Sequence, residues 1–253
     1  MKEYLHRFYR RWMSPGGLVP FRVVAGESDL YIWAKRDLSR EAMRSLLRHR
    51  EELEDFIRRQ PFFRESYIPY RIPGNSPEIV RRMASAAERV GVGPMAAVAG
   101  AVAEMVGEDL AAYSAEVVVE NGGDIYLRSD RERRVGVFAG ESELSGRLAL
   151  VVPPTPPEGI GICTSSATVG PSYSAGVVDA ALVVAESAAL ADAAATALGN
   201  LVKRPGDIPA ALEHVSRLEG IRGCLVILGE HLGVKGDLEL EEVSPPPAGE
   251  GSL

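Results

Sequence analysis

Aromatic residues make up only 6% of this 253-residue chain, and tryptophan and cysteine occur twice each. So few rings exclude a core built on large aromatic clusters; abundant alanine and valine point instead to fine packing of small side chains. The cysteines, Cys163 and Cys224, have no zinc-finger spacing, and both stand in apolar strand-like runs. Buried reduced thiols are the ordinary state there, with one disulfide between them left open. Excess basic charge is also lacking: the net charge is −7, which excludes a broad nucleic-acid face but not a local site for a small anion. The opening residues, MKEYLHRFYRRW, have no apolar signal core, and no apolar run is long enough to cross a bilayer. A cytoplasmic protein without a membrane partner is expected.

Several catalytic signatures are missing too. GPSYSAG (residues 170–176) fails the Gly-x-Ser-x-Gly pattern of a nucleophile elbow. GVGPMAAVAG (residues 91–100) follows a helix and misplaces the third glycine, so it is no dinucleotide fingerprint. The four histidines, His6, His49, His214 and His231, lie outside every polar motif discussed below and supply no ready general base. His6 and His49 sit among charged neighbours, a surface pattern.

What is present reads as α+β. At 46% hydrophobic and 25% charged the composition is that of a globular protein. A basic prelude (residues 1–18) precedes two short strands around a turn at Gly26-Glu27-Ser28. A helix follows from Ser39 to about Arg59, with Leu46, Leu47, Leu53 and Ile57 at helical spacing. Ser76-Pro77 should cap a helix to about Val90, and Gly93-Pro94 should open another. Strands then dominate up to Ser187, a natural cap for the alanine-rich stretch beyond it. A short helix near residues 210–217 and a terminal strand pair, GCLVILGE with GDLELEEV, complete the order. One α+β domain over residues 19–243 is expected, its antiparallel sheets covered by helices, with a disordered tail over 244–253.

Three segments carry candidate chemistry. In AALADAAATAL (residues 188–198) one carboxylate sits in a helix made almost entirely of alanine. An unpaired buried carboxylate costs on the order of 1–5 kcal/mol, so Asp192 needs a partner. Thr196, one turn on, projects from the same face, and together they form an oxygen pair suited to Mg²⁺ or Ca²⁺. The alternative is an ion pair with a base such as Arg204, Thr196 bonding back to its own helix. In Glu120-Asn121-Gly122-Gly123-Asp124 the glycines read as a hairpin turn, and they would equally let backbone approach a flat ligand. Thr164-Ser165-Ser166 after an apolar strand can bind phosphate oxygens or simply form a polar turn.

In this order, ENGGDI (residues 120–125), TSS (164–166) and ADAAATAL (191–198) resemble the ApbE superfamily of FAD:protein FMN transferases. GPMAAVAGA (93–101) and ICTSS (162–166) are similar to a sister family of short ApbE-like proteins without a signal segment. The resemblance implies a duplicated T-fold, two α+β halves sharing a ligand cleft. It implies Mg²⁺ on Asp192 and Thr196, with a backbone carbonyl near residues 97–99 as third ligand. Asn121, Gly122, Gly123, Asp124, Thr164, Ser165 and Ser166 would line FAD, FMN or its diphosphate. In the transferases Mg²⁺ neutralises the FAD diphosphate while a target threonine attacks and AMP leaves.

This chain departs from that pattern. No His-His-Ile-x-Asp-Pro segment lies between Ser166 and Ala188, Pro171 and Ala167 stand where the sister family often has histidine and glycine, and Ala99 replaces a transferase lysine. The implied activity is therefore a Mg²⁺-dependent flavin or nucleotide transferase or hydrolase. The alternative is a protein that binds a flavin or pterin without chemistry. A nucleotide, a protein acceptor and a second copy in a homodimer are the implied partners.

Overall fold

The computed structural model describes residues 16–166 and 177–243. Strands β1 (Val19–Ala25) and β2 (Ser28–Ala34) pair antiparallel around Gly26, whose φ of 55° suits glycine. Helices α1 (Ser39–Arg59), α2 (Phe62–Glu65), α3 (Glu78–Val90) and α4 (Val98–Ala111) follow, a 3-10 turn at Pro94–Ala97 leading into α4. Then come β3 (Val117–Asn121), β4 (Asp124–Arg128), β5 (Arg133–Val137), β6 (Leu148–Val152), β7 (Ile160–Ser165) and β8 (Ala180–Ala185). Helices α5 (Ala188–Leu201) and α6 (Ile208–Ser216) and strands β9 (Ile221–Leu228), β10 (His231–Gly236) and β11 (Glu239–Glu242) complete the described chain.

Eight strands form one antiparallel sheet in the order β1-β2-β3-β4-β7-β8-β9-β10. Each half of that sheet is two strands, a helical layer and two more strands, and the halves join where β4 meets β7. This is the α+β duplicated arrangement expected from the sequence. Strand alternation divides the core between two faces. Leu30 and Ile32 of β2 pack under the helices, whereas Trp33 packs against the second sheet, β11-β6-β5, on the other side. Covered on both faces, β8 is buried at all six positions and reads as a continuous apolar run.

The alanine helices approach their neighbours as closely as backbone allows. Ala188 lies between Gly100 of α4 and Gly161 of β7. A Cβ on Gly100 would stand 2.1 Å from the Ala188 carbonyl oxygen, and one on Gly161 would stand 2.4 Å from its Cα. Because backbone cannot swing aside like a long side chain, Gly100→Ala and Gly161→Ala should each destabilise the fold by about 1–3 kcal/mol, read as a lowered midpoint in urea unfolding. Unchanged midpoints would show that the helices separate more easily than this packing allows.

Five local expectations need correction. Leu47 on α1 is exposed and Ile57 only half-buried; the inward face carries Ala42, Leu46, His49, Leu53 and Phe56. Ser76 does not cap α3, because its hydroxyl donates to the Pro73 carbonyl at 2.6 Å. The expected terminal strand pair is absent: β9 pairs with β10, and β11 crosses to the other sheet to pair with β6. His49 is buried, its Nε2 2.9 Å from Asp109 Oδ2. Leu18, placed in the prelude, is buried between the two sheets. The rest of the prelude, His6, Ala167, Pro171 and the proposed tail lie outside the described residues.

Candidate functional site

The segments singled out in the sequence converge at the seam between the halves. Asn121 and Asp124 face each other across a two-residue turn, with φ of 72° at Gly122 and 108° at Gly123. Positive φ at both positions defines the turn class that fits a twisted hairpin, and glycine adopts it without strain. The Gly123 N–H donates to Glu120 Oε1 at 2.8 Å and braces the turn. From the helix-facing side, Asn121 Nδ2 donates to the Ala99 carbonyl at 3.0 Å, tying the turn to the first residues of α4.

The neighbouring peptide meets α5. Ser187 caps that helix by accepting from the Leu190 N–H at 3.2 Å, and Asp192 follows one turn later. Asp192 Oδ2 accepts from the Gly100 N–H at 2.9 Å and also bonds the Ala99 N–H. Both donors lie in the first turn of α4, so Asp192 braces the start of α4 from a different helix. The expected alternative, an ion pair with Arg204, does not form; Arg204 reaches Asp207 instead at 3.2 Å. Burial raises the Asp192 pKa to about 7 even though the two N–H groups oppose the shift. The Asp192 residue is itself partly open to solvent. Thr196, one turn along the same face, is also partly open.

Asp124 is only 8% exposed, and its Oδ1 is buried without a hydrogen-bond partner. Burial first, then the nearby charge of Asp192, push its pKa well above the carboxylate range, against hydrogen bonds from Cys163 and the Thr164 N–H. Cys163 is buried beside it, Sγ donating to the Ala188 carbonyl at 3.4 Å, and burial pushes its thiol pKa up. This thiol is therefore no nucleophile. Thr164, Ser165 and Ser166 are half-buried at the end of β7. A Cβ on Gly123 would lie 3.9 Å from the Thr164 carbonyl, so the turn and this strand end are neighbours. With Cys163 facing the helices, alternation turns Ser165 to the same side and Thr164 to the opposite one.

Sequence reasoning missed Glu104. Buried on α4, its Oε2 accepts from the Ala189 N–H at 3.0 Å, and its Oε1 accepts from Arg82 of α3 at 2.6 Å. Three helices are thereby tied together one turn before Asp192. The only signal was a lone acid in the apolar run AVAEMV. Among the described residues no three His, Cys, Asp or Glu side chains converge as a metal site. The donors around Asp192 are carboxylate, hydroxyl and backbone carbonyl oxygens, a set that fits a hard divalent ion and not zinc.

This architecture is that of the ApbE flavin transferases. The flavin transferase ApbE from Vibrio cholerae superposes with a TM-score of 0.58, covering 86% of this chain and 96% of that one at 13% identity. The apo flavinyl transferase ApbE of Pseudomonas stutzeri gives 0.54 over 86% and 93%, at 14% identity. A family model described as AbpE bacteria matches residues 10–228. The UPF0280 protein of Methanocella arvoryzae is 45% identical over 195 residues, 77% of this chain and 79% of the relative. That of Methanocaldococcus jannaschii is 42% identical over 222 residues, 86% and 90%. The chain belongs to this ApbE-like UPF0280 family. Among the described residues no single helix is long and apolar enough to cross a membrane.

Proposed function

We propose that the chain is a Mg²⁺-dependent transferase or hydrolase acting on a flavin dinucleotide or a similar nucleotide. The observation that carries this reading is the state of Asp192: one oxygen is fixed by the Gly100 N–H of α4, no lysine or arginine pairs with it among the described residues, and it is partly open one turn from Thr196. Asp192 and Thr196 would hold the ion, whose chemistry is to neutralise a diphosphate and align it for in-line displacement. The Gly122-Gly123 turn offers backbone without side chains to a ring or phosphate. Thr164, Ser165 and Ser166 offer hydroxyls and N–H groups to phosphate oxygens. The Ala99 carbonyl, close to the third ligand implied by the resemblance, already accepts from Asn121, which orients it.

One observation favours a second reading, a flavin or pterin carrier without chemistry. Among the described residues no histidine or lysine stands with Asp192 or Asp124. His49 is engaged by Asp109, while His214 and His231 lie on α6 and β10. Incubation with FAD, Mg²⁺ and a threonine-containing protein separates the two. AMP release with a covalent yellow label on the acceptor supports transfer, and AMP release without a label supports hydrolysis. A rise in melting temperature without turnover supports the carrier. The absence of any FAD effect across a Mg²⁺ titration would overturn both.

A further inference from the structure

We propose that Asp124 is a second carboxylate ligand of the cation site, so that the ion is gripped between β4 of one half and α5 of the other. This rests on the proposed role of Asp192 and extends it to a residue on the opposite wall of the seam. Asp124 opens β4 directly opposite Asn121, and Asn121 reaches the Ala99 carbonyl at 3.0 Å. The next peptide, Gly100, donates to Asp192 at 2.9 Å. On its other side Asp124 adjoins Cys163, whose Sγ lies 3.4 Å from the Ala188 carbonyl, one turn before Asp192. The two carboxyl groups therefore line the same seam from opposite walls.

What points to a ligand is the unanswered oxygen. Asp124 is more than nine-tenths buried, yet its Oδ1 has no donor, and such a group is costly to bury unless it is satisfied on binding. A proton there would need an acceptor just as the bare oxygen needs a donor. No lysine or arginine pairs with either acid among the described residues. A water molecule could fill the place but would leave two acids side by side in a poorly polarisable setting. A divalent cation answers both needs at once, and two carboxylates, a hydroxyl and water suit Mg²⁺ or Mn²⁺. The site would then span the duplication.

Mn²⁺ binding to the whole chain, followed by electron paramagnetic resonance without nucleotide, tests the assignment apart from any activity. The wild type should take up one Mn²⁺ that Mg²⁺ displaces, and Asp192→Asn should abolish this. Asp124→Asn should weaken it by at least about tenfold. Luminescence lifetimes of bound Eu³⁺ in H₂O and D₂O should show about one more coordinated water in Asp124→Asn. Asp124→Ser is the second variant should the first fail to fold, as judged by circular dichroism. If the folded Asp124 variant binds Mn²⁺ like the wild type while Asp192→Asn does not, Asp124 is no ligand and the Asp192 site stands. Wild-type protein that takes up no Mn²⁺, or an Asp192→Asn variant that binds it unchanged, overturns the Asp192 site itself and the present assignment with it.

Discussion

Replacing Asp192 with asparagine should erase the stabilisation expected from FAD in Mg²⁺ while leaving the fold intact. The amide keeps the shape of the carboxylate and can still accept from the Gly100 N–H, so the cap on α4 survives in weakened form. What disappears is the charge proposed to hold the ion. At a ligand concentration of 100 times Kd, binding stabilises the native state by about 2.7 kcal/mol, a melting shift of roughly 5–10 °C for a chain of this size. That shift should fall to zero in Asp192→Asn. Thr196→Ala, which removes a neutral ligand, should keep part of it. A full shift in Asp192→Asn would remove the cation from the mechanism.

The same residue sets a pH dependence whose sign is fixed. Burial raises its pKa from 3.8 to about 7, so the folded chain binds this proton more tightly than the unfolded chain does. Its contribution to stability is complete below pH 3.8 and is lost as pH rises to about 7. The cation proposed for this site would compete with that proton. Apparent Mg²⁺ affinity should therefore drop about tenfold for each pH unit below the pKa, and Mg²⁺ should stabilise most in mildly alkaline buffer.

The features legible in the sequence are those in which one residue type has one physical use. Paired glycines between valine-rich strands demand positive φ, and the hairpin forms at Gly122-Gly123 as read. Ser187 before an alanine run is a helix cap, and it caps α5. The partner of Asp192 was not legible, because backbone N–H groups carry no residue signature; only the fold brings the start of α4 to α5. His49 misled for a related reason. Its neighbours Arg48, Glu51 and Glu52 suggest a surface, but its ring turns inward to an acid 60 residues away. Strand β10 escaped notice because its short, glycine-interrupted sequence HLGVKG is exposed along most of its length. Sheet membership of β11 is decided by register with β6, a property of two distant segments together.

Away from the seam, the largest loss of stability should come from Glu116→Ala. Glu116 precedes β3 and is fully buried, yet it is ionised. It accepts from Lys35 and Arg133, and from the Ser129 hydroxyl at 2.8 Å. Burial alone would raise its pKa, but hydrogen bonds from Lys35, then Arg133 and Ser129, outweigh it and hold the value at about 2. Arg133 is itself only 5% exposed, so removing the carboxylate takes the Glu116 charge away from a buried guanidinium. Deleting one partner of a buried pair costs about 3–5 kcal/mol, roughly 10 °C of melting temperature for a chain this long. Glu116→Gln keeps the shape and loses only the charge, which gives the effect a pH signature. The folded pKa lies below the unfolded value of 4.5, so the advantage of the wild type is complete above pH 4.5 and shrinks as pH falls toward 2. Urea unfolding of both proteins at pH 7 and at pH 3 measures the gap. A gap as wide at pH 3 as at pH 7 would show that volume, rather than charge, is what Glu116 contributes.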